Sequence, residues 1–426
     1  MYYQIEDQKE IQFPHSQKYI QGVCHHSSIR IPILDDNMLI VGKTGCGKTT
    51  LTKEYIKHLI NEPHTYSVFF ELKDDYRELI EEDDKVISYY QYPHMNIFQW
   101  NMILEIKQSK DWNSEVRKIA NMLFSDLQED KRNKIWVEGA MQVFIGFINT
   151  ILYCFKDTPT TREVINGMRY ITHEQLIKHL SLYTPNKSLL RDCFHYDVNH
   201  CDNYQMPRKA FDIMFFLQNV LEKWSGTFIN DGKDTIHDFL NGQYGHKLFL
   251  LYDYDKKETI QLFYRYFLNY MINSRLSQDV DRTQKIVLVL DEIAELNGDF
   301  GLLSGVTIGR GNNLQVILSV QSLEKLYLIA PERHSEHLIH AMLAGFPTIV
   351  SFRHGDPQTL ETIQKIFGQR KVTEMILPFS RYEQPVMSVK EVPFMSEEDS
   401  ASLGVGECYM KIRDLTPQRI KLVREG

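Results

Sequence analysis

One short stretch constrains this chain more than any other. Gly42, Lys43, Thr44, Gly45, Cys46, Gly47, Lys48 and Thr49 fit the pattern G-x-x-x-x-G-K-[ST] without a mismatch. The apolar run Asn37–Val41 precedes it and reads as a buried strand; residues 49–59 follow with helical character. Glycines at 42, 45 and 47 let the backbone curl so that its N–H groups converge on an anion. The helix that follows adds its positive N-terminal end. The pattern predicts a nucleotide phosphate site built from residues 42–50, closing at Thr50. Lys48 would reach the β- and γ-phosphates and the Thr49 hydroxyl would ligate Mg²⁺.

The second half of such a site lies far along the chain. Lys285–Leu290 is an aliphatic strand that delivers Asp291 and Glu292 at its C-terminal end. Asp291 is expected to hold Mg²⁺ and Glu292 to orient and polarise the attacking water. Asp291 stands 243 residues beyond Lys48. A compact phosphate-loop domain needs far fewer, so a large block is inserted between the two motifs. Nineteen residues past Asp291 is Arg310, flanked by small residues that leave its guanidinium free to project. Thirty residues past Asp291 is Gln321, at the end of the strand Leu314–Val320, where a polar side chain would lie beside the γ-phosphate.

The rest of the chain agrees with that division. Strand signals occur at Tyr66–Leu72, Lys247–Tyr252, Lys285–Leu290, Leu314–Val320 and Thr348–Phe352, with helical stretches between them. From about 105 to 243 the apolar spacing is helical throughout, as in Val116, Ile119, Ala120, Leu123, Phe124 and Leu127. The expected fold class is α/β: a RecA-like P-loop sheet domain over 1–104 and 244–426, with an inserted all-α domain over 105–243. At 426 residues the chain has ample length for both parts. A net charge of −8 rules out a uniformly basic nucleic-acid coat and leaves room for a local basic channel. The run Met141–Phe155 is about 15 residues long and reads as a buried helix, since a membrane span needs about 20. The N-terminus is polar and acidic, unlike a signal peptide, and the six scattered cysteines read as reduced thiols in a cytosolic protein.

Four further signals stand outside the phosphate site's core pattern. The segment Cys193–Cys201 packs five possible metal ligands into nine residues, yet its spacing matches no zinc pattern and it reads as a polar loop. Cys24-His25-His26 reads the same way. The acidic run Glu81–Asp84 reads as a solvated turn. Cys46, beside Lys48 and a helix N-terminus, is expected to favour its thiolate.

Assembled, these residues resemble the type IV coupling proteins, the TraG/TraD-like ATPases of conjugation and type IV secretion within the FtsK/HerA class of ring translocases. Glu71-Leu-Lys-Asp74 looks like the family's Asp-x-Lys-Gly-Glu segment, with the first acid and the glycine altered. Asn96-Ile-Phe98 echoes its Asn-Pro-Phe entry to the helical domain, and Trp136–Ala140 its Trp-x-x-x-Ala helix. Asp291, Glu292, Arg310 and Gln321 fall at the spacing of its Walker B acids, arginine finger and third-motif glutamine. Phe352–Thr359 resembles its late strand and Asp-Pro-x-Thr helix start.

The resemblance implies a motor ATPase using ATP and Mg²⁺ that hands DNA or a protein–DNA complex to a secretion or conjugation apparatus. Single- or double-stranded DNA would pass through a homo-hexameric ring without sequence readout. A relaxase and secretion-channel proteins are the implied partners. Most family members begin with two transmembrane helices, for which a phosphate loop at residue 42 leaves no room. A cytoplasmic protein recruited to the inner face of the cell membrane is therefore expected. A HerA-like translocase of repair or defence, and a nucleotide-dependent scaffold with little turnover, are the alternatives.

Overall fold

The computed structural model describes residues 4–5, 18–24, 27–90, 92, 94–128, 132–196, 206–227, 232–277, 282–330, 336–376 and 386–423. The chain divides into two compact units: Met1–Leu79 with Arg282–Gly426, and Ile80–Asp281.

The first unit is built on a sheet of nine strands: β1 (Tyr19–Cys24), β2 (Ser27–Pro32), β3 (Met38–Val41), β4 (Thr65–Glu71), β5 (Lys285–Asp291), β6 (Leu314–Val320), β7 (Thr348–Ser351), β8 (Glu407–Ile412) and β9 (Gln418–Leu422). They lie in the order β2-β1-β9-β8-β7-β3-β6-β5-β4. The five from β7 to β4 are mutually parallel. The wing from β8 to β2 is antiparallel. All residues of β3, β4, β6 and β7 are buried. Strands buried on both faces carry no alternation, which is why they stand out in the sequence as continuous apolar runs. The wing strand β1 instead alternates half-buried and buried residues. A short strand at Gln4–Ile5 and the hairpin strands Gln369–Ile376 and Val386–Pro393 form a separate three-stranded sheet.

The register places the phosphate site. Strand β6 pairs with β3 on one side and β5 on the other, with Val320 opposite Val41 and Ser319 opposite Asp291. The glycine loop after β3 and the acids after β5 therefore open at the same edge, separated by the width of one strand.

In the second unit every regular element described between 105 and 243 is helical. The compact unit is wider than that stretch, because the parallel strands Lys85–Ile87, Asn96–Ile97 and Lys247–Leu251 belong to it. Capping boxes at Thr160 and Thr172 fix two of the helix starts. The helix Lys134–Cys154 begins before the apolar run that marks it in the sequence. By length and composition it suffices to cross a membrane, with a mean hydropathy of 1.5. Val137, Ala140, Phe144, Ile148 and Ile151 on it are buried, and it packs against Trp112–Gln128 and Arg208–Ser225.

The acidic run at 81–84 is the solvated turn expected at Glu81, Glu82 and Asp83, and departs from it at Asp84. Asp84 is 3% exposed, with Lys247 Nζ at 3.1 Å and the Lys247 N–H donating to it at 3.1 Å. An acid at the entry to the helical stretch thus meets a lysine at its exit. A sequence window around Asp84 alone contains no trace of that partner.

Candidate functional site

The loop after β3 has the geometry that its glycines permit. Gly45 has φ +78° and Gly47 φ +113°, values at which a side chain is strained. A Cβ on Gly42 would stand 2.6 Å from the Phe352 Cβ. Backbone bonds fix the loop at three points. Gly42 N–H donates to Val320 O (3.1 Å), Lys43 N–H to Arg353 O (2.9 Å) and Gly406 N–H to Cys46 O (2.9 Å). Helix α1 (Lys48–Leu59) starts directly behind it.

The loop opens on a cleft of about 250 Å³. Thr44, Gly45, Gly47, Lys48, Thr49 and Thr50 form one wall; Asp291 and Glu292, the turn residues Leu72, Lys73 and Asp75, and Val405 complete it. Lys48 is 6% exposed and curls back over its own loop, donating to Gly42 O at 2.7 Å and Lys43 O at 3.1 Å. Its Nζ lies 3.7 Å from Glu292 Oε1.

Both acids are buried. Burial pushes the Glu292 carboxyl up, and the neighbouring Asp291 adds to that; Lys48, Lys325 and the Gln321 amide act against it. Burial also pushes Asp291 up, opposed mainly by Ser319 and Lys48. Glu292 takes φ +53°, a left-handed conformation uncommon for a side chain of its kind, with its N–H held by Ser319 O at 3.0 Å. Asp291 Oδ1 and Glu292 Oε2 are buried with no hydrogen-bond partner. Buried oxygens without a hydrogen-bond donor at the mouth of a cleft are what a divalent cation and its water shell require. Asp291 and Thr49 thus fit a Mg²⁺ site.

The structure brings together Lys48, Thr49, Asp291, Glu292 and Gln321. Arg310 is elsewhere. It sits just ahead of β6, whose far end leads into Gln321, so roughly 20 Å of strand separates them. Its side chain is 69% exposed, with Nη1 3.3 Å from the buried Asp36, which also accepts Arg413 Nε at 2.6 Å. Two basic residues near the acids lie outside the set expected from the sequence. Lys325, 3.9 Å from both Glu292 and Glu295, stands in a helical turn that only tertiary packing brings to the site. Lys73 follows β4 and is the lysine of Glu71-Leu-Lys-Asp74, the segment that looks like the family's Asp-x-Lys-Gly-Glu, though that likeness assigns it no role.

The expectation for Cys46 is corrected. Its thiol is buried, and that desolvation raises it above its ordinary range, outweighing the nearby charge of Lys48. Among the described residues no three metal-ligating side chains cluster. The stretch 197–201 of the ligand-rich segment, and His25 and His26, lie outside those residues.

A parallel sheet with a glycine loop on one strand, a buried acid pair on the next but one, and a strand-end glutamine between them defines a P-loop NTPase, here with an all-α stretch inserted. The chain belongs to the type IV coupling proteins: the family model described as the type IV secretion-system coupling protein DNA-binding domain matches residues 25–384. Among solved structures, the unbound monoclinic form of the bacterial conjugative coupling protein TrwBdeltaN70 is similar, at 16% identity and a TM-score of 0.73. That match covers 96% of this chain and 90% of the other. The plasmid coupling protein TrwB in complex with ADP and Mg²⁺ is similar at 17% identity and a TM-score of 0.69, covering 96% and 91%. VirB4 of Thermoanaerobacter pseudethanolicus matches at 12% identity and a TM-score of 0.55, covering 98% of each chain. A search of curated proteins returned no match.

Proposed function

We propose that this chain is an ATP-hydrolysing coupling protein that moves DNA, or a protein–DNA complex, into a type IV secretion or conjugation apparatus. The observation that carries this reading is the cleft itself. In a chain of the coupling-protein family, Lys48, Thr49, Asp291 and Glu292 converge from opposite ends of the sequence on one opening. TrwB, similar in fold, has been solved with ADP and Mg²⁺ and with an ATP analogue.

Each residue has a distinct task. The loop from Gly42 to Thr50 receives the phosphates on its N–H groups, and Lys48 leaves its carbonyl partners to neutralise the β- and γ-oxygens. Thr49 and Asp291 hold Mg²⁺, which when bound offsets charge on those oxygens. Glu292, whose carboxyl burial has made more basic, accepts the proton of the attacking water. Gln321 holds the Glu292 carboxylate from the neighbouring strand and reports whether the terminal phosphate is present. Arg310 is too far from its own cleft to serve it, which supports a homo-hexameric ring in which it serves a neighbour's. Residues 105–243 form the inserted all-α domain, placed to receive cargo. Delivery to a secretion apparatus places the protein in the cytoplasm at the inner face of the cell membrane, beside a relaxase and channel proteins.

The test is steady-state ATPase activity with and without DNA. A motor is stimulated by DNA of any sequence, and Lys48→Ala abolishes turnover while leaving circular dichroism unchanged. Turnover indifferent to DNA would favour a nucleotide-dependent scaffold. Unchanged turnover in Lys48→Ala would remove the phosphate-loop assignment.

A further inference from the structure

Strand β4 ends in Glu71, and the chain then turns tightly through Leu72–Tyr76. Glu71 is 2% exposed; its Oε2 accepts the Tyr76 N–H at 2.9 Å and its Oε1 is buried without a partner. Asp74 takes φ +56°, and Arg77 Nη1 pairs with it at 3.2 Å. The turn is thus wound around one carboxylate, a conformation fixed before any ligand arrives. It carries Lys73 and Asp75 to the wall of the cleft that Lys48, Thr49, Asp291 and Glu292 share.

The cations in and beside this cleft are not equivalent. Lys48 is taken up by two carbonyls and Glu292. Lys325 is shared between Glu292 and Glu295. Lys73 is exposed, and among the described residues its ammonium has neither an ion pair nor a hydrogen bond. Burial pushes Glu71 up to about 7, so the acid beneath the turn presents less than a full charge to it at neutral pH. Lys73 also stands near enough to Asp291 to draw its carboxyl down. Asp75 is the one carboxylate on the same wall, and it makes no ion pair with Lys73 among the described residues. An unpartnered ammonium, held by a preformed turn at the Asp291 side of a phosphate site, has the chemistry of a phosphate ligand.

We propose that Lys73 is a second phosphate-binding cation of the cleft and contacts the terminal phosphate of a bound nucleoside triphosphate. The proposal rests on the reading of the cleft as a nucleotide site. The loop N–H groups and the N-terminus of α1 serve the inner phosphates, which tri- and diphosphates share, and Lys48 spans the β- and γ-oxygens. Lys73 approaches from β4, next to the strand of the acids and with two strands between it and β3, so the group it meets is the one that ADP lacks. It thereby distinguishes the nucleotide before hydrolysis from the product after it.

The experiment is equilibrium binding of the β,γ-imido analogue of ATP and of ADP, each with Mg²⁺, to the full chain and its variants. Lys73→Met should raise Kd for the triphosphate analogue about tenfold, as expected for the loss of one charge-assisted contact, and leave Kd for ADP within about twofold. Lys73→Arg should restore most of the loss. Lys73 is exposed, so neither variant disturbs the core. Equal weakening of both nucleotides would mean that its charge acts only at long range, and no change in either would mean no contact; each result overturns the proposal. Lys48→Ala is the separate control. If that variant binds both nucleotides normally, the nucleotide-site reading itself fails, whatever Lys73 does.

Discussion

Glu292 combines three features that rarely coincide in one side chain: burial, a left-handed backbone and a lysine 3.7 Å away. Strain and desolvation together cost a few kcal/mol and persist only where the surroundings fix them. Replacing Glu292 by Gln keeps the shape and removes the base. The variant should bind ATP and Mg²⁺ with Kd near that of the parent, since Asp291 and Thr49 are untouched, and turn over at least a hundredfold more slowly. Failure to bind nucleotide would show that the two acids have been given the wrong roles. Cys46 is the opposite case, a residue with reactive neighbours and an inert environment. With its thiol buried and raised, it should react with a maleimide at pH 7 far more slowly than the exposed Cys154. Peptide mapping of the labelled protein measures the order, and Cys46 labelling first would contradict the burial argument.

At the scale of elements, one chain of contacts leads from a helix start to the acids. Asp356 caps the helix Pro357–Phe367, accepting the N–H groups of Gln358 and Thr359. The Thr359 hydroxyl accepts the Leu323 N–H at 2.9 Å, and the helical turn Leu323–Leu328 that begins there holds Lys325 near Glu292. Asp356→Ala should cost about 1 kcal/mol of stability in urea denaturation, the usual worth of such a cap. Through Thr359 it should also slow turnover without raising Kd for ATP; a variant as stable as the parent would remove the cap from this account.

These elements also show what sequence reveals and what it hides. Strands β3, β5 and β6 are legible because burial on both faces writes an unbroken apolar run, and the glycine loop because only glycine tolerates its φ angles. The wing is not. Strand β9 pairs Leu422 with Gly22, a partner some 400 residues away, and its polar edges read locally as loop. Lys73 lies in the family-like segment Glu71-Leu-Lys-Asp74, yet its place in the cleft was not legible. A charged cluster after a strand is ordinary, and only the turn around Glu71 aims it at the cleft.

At the scale of the whole molecule, Arg310 decides whether the chain works alone. Arg310→Ala should bind ATP normally and lose on the order of 10³-fold in hydrolysis, the lower end of what such a residue supplies elsewhere. The loss alone does not assign the interface. Mixing inactive Lys48→Ala with inactive Arg310→Ala subunits before assembly does. If Arg310 serves a neighbour, some interfaces pair an intact Lys48 with an intact Arg310 and activity returns in part. A mixture that stays inactive, with mixed rings shown to form by native mass spectrometry, would refute the shared site.

The bond from Gly406 to Cys46 has a consequence for how the protein is made. The phosphate loop leaves the ribosome early, but the backbone that pins it, and the acids opposite, come from segments translated much later. At about 5–20 residues per second, the wait from Thr50 to Gly406 is roughly 20–70 s. The second unit, uninterrupted in sequence, can fold within that interval, while the first remains an unfinished sheet with exposed strand edges. Capture of a nucleotide therefore waits on a segment translated long after the loop itself, and a nascent chain halted before Gly406 should bind nucleotide more weakly than the full chain.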